Sequence, residues 1–148
     1  MFKRVLILTL SVWLTACSSS GQFSVPGLMN DDVDIDFKNL YLRGVFNWWE
    51  ATPAFQFSES SDGWYVDVEL IADGQPYDFR LSDASWTPQQ TCGAKYPGQS
   101  VSVSSTVFLV CNPGQQNVQF TPSTTGVYRF TVSPASGNEV ALQISRQR

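Results

Sequence analysis

The chain has 148 residues, with nine Lys and Arg against 13 Asp and Glu, no histidine and three cysteines, for a net charge of −4. Without imidazole there is no His-containing catalytic triad and no His-ligated zinc site, so the commonest hydrolytic machineries are excluded and no metal or cofactor is expected. The acidic balance argues against nucleic acid and anionic head groups as partners, since both are bound chiefly through basic patches.

Residues 1–16 contain Lys3 and Arg4, an apolar run from Val5 to Leu14, and a small residue, Ala16, before Cys17. The run is too short to span a bilayer and has the layout of a secretory signal. Leu14-Thr15-Ala16-Cys17 resembles the lipobox of bacterial lipoproteins. That resemblance implies cleavage before Cys17, acylation of the cysteine, and a mature protein held to a membrane by its N-terminal lipid. A single acyl chain binds only marginally, whereas two or more hold stably. In such lipoproteins Ser after the cysteine, here Ser18, goes with export to the outer membrane, so the implied location is the cell envelope, on the outer membrane of a Gram-negative bacterium. Removing residues 1–16 takes away Lys3 and Arg4 and no acid, leaving seven Lys and Arg against 13 Asp and Glu, a net charge of −6.

Residues 17–36 are rich in Ser and Gly and then acidic, with Asp31, Asp32, Asp34 and Asp36 close together. This composition reads as a flexible tether, and its acids as solvated linker charges rather than a catalytic carboxylate pair. From residue 37 to 148 the pattern is that of one domain made of short β-type runs, with no helical stripe of useful length. Strands are expected over residues 39–46, 55–58, 64–71, 76–82, 101–110, 118–120, 126–132 and 140–145. They are separated by turn signals such as Asp62-Gly63, Asp73-Gly74, Asn112-Pro113-Gly114 and Gly137-Asn138. Alternation puts Trp64, Val66, Val68 and Leu70 on one face, with Asp67 and Glu69 on the other. It likewise puts Tyr128, Phe130 and Val132 opposite Arg129. One buried and one wet face per strand, repeated seven or eight times, predicts an all-β fold, an immunoglobulin-like antiparallel β-sandwich.

With Cys17 assigned to lipid, Cys92 and Cys111 remain as a pair in an oxidising compartment, and a disulfide is expected. Closing a loop of about twenty residues contributes on the order of 3 kcal/mol. A metal site is the rival reading, and two thiols without histidine make a poor one.

The segment Gly44-Val45-Phe46-Asn47-Trp48-Trp49 resembles the Gly-x-Phe-Asn-x-Trp turn of starch- and glycogen-binding β-sandwich modules. These are known from AMP-activated kinase β subunits, from branching and debranching enzymes, and from bacterial α-amylases and pullulanases. Tyr77-Asp78-Phe79-Arg80, followed by Asp83 and Trp86, is similar to their Tyr-x-Phe-Lys-x-x-Asp-x-x-Trp stretch, with Arg80 where Lys is usual. Residues 126–132 are similar to their Gly-x-Tyr-x-Phe strand, and Gln116-Asn117-Val118 is a weaker echo of an Asn-Asn pair. The insert at residues 88–111 departs from the pattern and bears on whether a site there stays open.

The resemblance implies a carbohydrate-binding platform of Trp49 and Trp86, with Arg80 and Asn117 as polar partners. A glucose ring packs its C–H face on indole and needs donors and acceptors at its edge. Plain packing is the competing account of each Trp, and it fits Trp64, which is in phase with Val66 and Val68. Trp48 and Trp49 are adjacent, so at least one of them is expected to face solvent. Arg43 and Arg80 each follow an apolar strand residue, which on its own suggests a solvated outer face. Two functions follow: a non-catalytic, membrane-anchored binding module for α-glucan or a related saccharide, or a structural envelope lipoprotein that binds another protein and no sugar. An enzyme is not expected, since no nucleophile or acid pair is recognisable.

Overall fold

The computed structural model describes residues 34–148. Cys17, the signal segment and most of the tether lie outside the described residues. Among the described residues, nine antiparallel strands form the domain: β1 (Tyr41–Gly44), β2 (Ser58–Ser60), β3 (Gly63–Leu70), β4 (Tyr77–Ser82), β5 (Cys92–Gly93), β6 (Thr106–Cys111), β7 (Val118–Phe120), β8 (Gly126–Pro134) and β9 (Glu139–Arg146). Their order is β1-β4-β5-β6-β9-β8-β3-β2, with β7 beside β4. The path curls until its ends meet, because Tyr41 bridges Gln56 and the Phe57 N–H donates to the Leu40 carbonyl at 2.9 Å. The result is an all-β sandwich in which β4 and β7 face β8 across the core, with β1 beside β4 and β3 beside β8.

Between these layers Leu42, Phe79, Leu81, Val118 and Phe120 pack against Val66, Val68, Leu70, Tyr128, Phe130 and Val132. Phe79 meets Phe130 edge-on at 5.2 Å, and Phe120 meets Tyr128 at 5.1 Å, the arrangement that ring quadrupoles favour. Tyr128 is fully buried, and its hydroxyl is satisfied by donating to the Thr124 carbonyl at 2.5 Å.

The alternation read in β3 and β8 matches the burial of Val66, Val68, Leu70, Tyr128, Phe130 and Val132 and the exposure of Asp67 and Glu69. Trp64 sits at the rim of this core, half-buried and stacked on Phe37 at 6.2 Å. Arg129 lies outside, paired through two nitrogens with Asp67 at 2.8 and 2.9 Å and lying over the Tyr65 ring.

Cys92 and Cys111 form a disulfide between positions directly opposite each other in β5 and β6. Both are buried, so the bridge ties the insert to the sheet from within the core. The strand expected over 101–110 begins only at Thr106: Ser104 takes a left-handed φ of 65°, which breaks the run. Val101 is held instead by a bond from its N–H to the Gln119 carbonyl at 3.0 Å. Before β1, Ile35 packs on the core, and the Gln90 side chain bonds both the Asp36 N–H and the Asp34 carbonyl.

Candidate carbohydrate-binding site

The site grows from the end of β1. Gly44 lies so close to β4 that an added Cβ would stand 2.7 Å from the Asp78 carbonyl oxygen and 2.8 Å from the Phe46 ring, so only glycine fits. The chain then makes a 3-10 turn over Val45–Asn47. Phe46 turns inward, stacking on Phe55 at 5.5 Å and touching Tyr77 and Phe130. Asn47 is buried and ties the turn together: its Oδ1 accepts from the Gly44 N–H at 3.0 Å, and its Nδ2 donates to the carbonyls of Leu42 at 2.9 Å and Glu50 at 3.2 Å. The Trp49 N–H closes the turn on the Gly44 carbonyl at 2.9 Å.

A turn locked this way forces Trp48 and Trp49 into left-handed backbone, at φ 56° and 61°. Trp48 stands 86% exposed, whereas Trp49 is half-buried. Strand alternation is therefore not the reason one of the pair faces solvent; two successive left-handed residues are.

A second loop, after β4, carries Trp86, also left-handed at φ 55°. Asp83 organises this loop by accepting from the Thr87 N–H at 2.8 Å, while the Trp86 N–H reaches the Asp83 carbonyl at 3.5 Å. Burial pushes the Asp83 carboxyl up, but hydrogen bonds from Thr87 and Ser85 and the charge of Arg43 outweigh it, so its pKa lies below the usual value. A folded-state pKa below the unfolded one, about 3.9, means that this carboxylate's contribution to stability is fully present above that pH and is lost as pH falls through the folded value. Wild-type protein is therefore expected to lose melting temperature on acidification below about pH 4. Asp83→Asn should show a shallower acid limb in the same series of melts, and equal slopes would remove Asp83 as a contributor.

Trp49 and Trp86 face each other with ring centroids 6.5 Å apart and planes inclined by 40°. Beside them Arg80 and Asn117 are joined, the Arg80 Nε donating to the Asn117 Oδ1 at 2.6 Å. Arg80 projects from β4 and Asn117 immediately precedes β7, next to β4 in the sheet. Trp49, Arg80, Trp86 and Asn117 together line an open depression of about 480 Å³. All four residues singled out from the sequence thus meet on one surface, and no residue of the 88–111 insert is among its lining. With its Nε engaged, the Arg80 guanidinium has no bond from its terminal N–H groups among the described residues, nor has the Asn117 amide from its N–H donors, so both sets face the depression's solvent.

One residue of the site differs from its sequence reading. Arg43 is not on a solvated outer face: it is only 7% exposed. Its Nε donates to the Trp49 carbonyl at 2.7 Å, and its Nη1 to the Asp83 carbonyl at 2.9 Å, with Ala84 at 3.4 Å. Its guanidinium lies 3.8 Å from the centroid of the Trp86 ring. One cation therefore braces both tryptophan loops and backs one of the two indoles. Desolvation lowers its pKa, opposed by the charges of Asp83 and Glu50, and a guanidinium stays charged throughout. The outward direction of Arg43 was legible from Leu42 beside it. That the Trp86 loop folds over this outer face was not.

No family model matches the chain, and no curated protein matches its sequence. Among solved structures, the chain is similar to the ligand-induced structure of AmyP-SBD, an amylase starch-binding domain. The TM-score is 0.50 and the identity 14%, covering 100% of this chain and 97% of that one. At this identity the likeness shows the fold alone.

Proposed function

We propose that this chain is a non-catalytic carbohydrate-binding module for α-glucan or a related saccharide, held on the cell envelope as a lipoprotein. The observation that carries the reading is the convergence of Trp49 and Trp86 with Arg80 and Asn117 on one open depression. Two indoles inclined to one another offer C–H stacking surfaces to successive, non-coplanar glucose rings, while the Arg80–Asn117 pair supplies donors for ring hydroxyls. The likeness of fold to a starch-binding domain supports the same reading. Affinity electrophoresis of the full chain in mild detergent tests it: retardation by glycogen or amylopectin is expected. Unretarded migration in both would sink the glucan reading and leave an envelope protein as the partner.

The anchor is argued from the lipobox resemblance alone. Among the described residues no helix is long and apolar enough to cross a membrane. On that resemblance, attachment is assigned to lipid on Cys17. Cys17→Ala should abolish metabolic labelling with palmitate and leave the chain either unprocessed or in the soluble fraction. A variant that is still labelled and membrane-bound would refute the assignment.

A further inference from the structure

We propose that Trp48 is an outer aromatic contact that makes this site favour long, coiled α-glucan over short oligosaccharides, an inference that rests on the glucan-binding reading above. Trp48 is 86% exposed, so core packing does not account for it. Its backbone is left-handed, at φ 56° and ψ 30°, a conformation that Gly or Asn adopts with less strain than an indole-bearing residue. The turn that imposes this conformation is held by Asn47 and by the bond from the Trp49 N–H to the Gly44 carbonyl, and neither interaction involves the Trp48 side chain. A large apolar side chain kept at a strained, solvent-facing position, where neither packing nor backbone preference favours it, points to recognition.

Its place in the chain says of what. Trp48 directly precedes Trp49 yet is not among the residues lining the depression, so a sugar short enough to be held by Trp49, Trp86, Arg80 and Asn117 does not require it. A glucan chain that leaves the depression over the Val45–Asn47 turn passes Trp48, the residue that ends it, and Val45 at the start of the turn is exposed as well. Because α-glucan coils, a later stretch of the same polymer can bring further C–H faces to this indole. Maltotriose cannot.

The test compares maltotriose, by calorimetric titration, with amylopectin, by affinity electrophoresis, for the full-length wild type, Trp48→Ala, Trp48→Gly and Trp49→Ala. Both Trp48 variants are expected to weaken amylopectin binding about fivefold or more while leaving maltotriose affinity within about twofold, and Trp49→Ala to weaken both ligands. Trp48→Gly should melt no lower than wild type, since it relieves the left-handed strain. Unchanged amylopectin binding, an equal loss for maltotriose, or a clear drop in the melting temperature of Trp48→Gly would each overturn the inference. A wild-type domain that binds neither ligand would overturn the glucan reading itself, and this inference with it.

Discussion

Arg43→Ala is expected to destabilise the domain by about 3 kcal/mol and, on the glucan reading proposed above, to abolish binding together with the fold of the site. Two carbonyls that the guanidinium satisfies, those of Trp49 and Asp83, would lose their donor in a poorly hydrated place, at a cost of about 1–3 kcal/mol each. The Trp86 ring, itself 38% exposed, would also lose the cation against its face, a contact worth about 1 kcal/mol at such a site. Arg43→Lys should recover only part of this loss. An ammonium is a point charge on a flexible stem and cannot lie flat under an indole while donating in two fixed directions. Urea denaturation of the three proteins, followed by tryptophan emission, measures the stabilities. An Arg43→Ala domain within about 1 kcal/mol of wild type, with glycogen binding intact, would show that the brace is dispensable.

The strands that the sequence makes legible are those whose two faces meet different solvents. In β3 and β8 water lies on one side and the opposing layer on the other, so Asp67, Glu69 and Arg129 alternate with buried apolar residues. β5 leaves no such trace. It is two residues long, both buried, and exists because Cys92 pairs with Cys111 and Leu81 across two neighbouring strands. The expected run over 55–58 is shifted for a local reason: Pro53 favours a 3-10 turn over Pro53–Phe55, so the extended backbone begins at Gln56, which bridges Tyr41, and the strand proper at Ser58. The four lining residues of the site are legible because their spacing resembles a known motif. Arg43 is not, because its burial depends on the Asp83–Trp86 loop closing over β1, a long-range contact that neither period nor propensity encodes. The left-handed backbone of Trp48, Trp49 and Trp86 is equally hidden, since tryptophan carries no turn signal of its own.

Replacing either platform tryptophan should separate binding from folding. Trp49→Ala and Trp86→Ala are each expected to weaken glycogen binding by more than about 1 kcal/mol, roughly fivefold or beyond, because stacked aromatic anchors dominate small polar sites. Neither side chain belongs to the core cluster, so Trp49→Ala should change stability little. Trp86→Ala should fall slightly the further of the two, by about 1 kcal/mol, since it also frees the face of Arg43. Trp64→Ala is the control: half-buried against Phe37 and the core rim, it should lower stability by about 2 kcal/mol and leave the affinity of the folded protein unchanged. Affinity electrophoresis in glycogen beside thermal melts reads both quantities for each variant. If the domain binds glycogen and tolerates both platform substitutions, the saccharide sits elsewhere on the sandwich. If Trp49→Ala and Trp86→Ala melt as low as Trp64→Ala, the two indoles are there to hold the loops, and the depression between them is only a by-product of the fold.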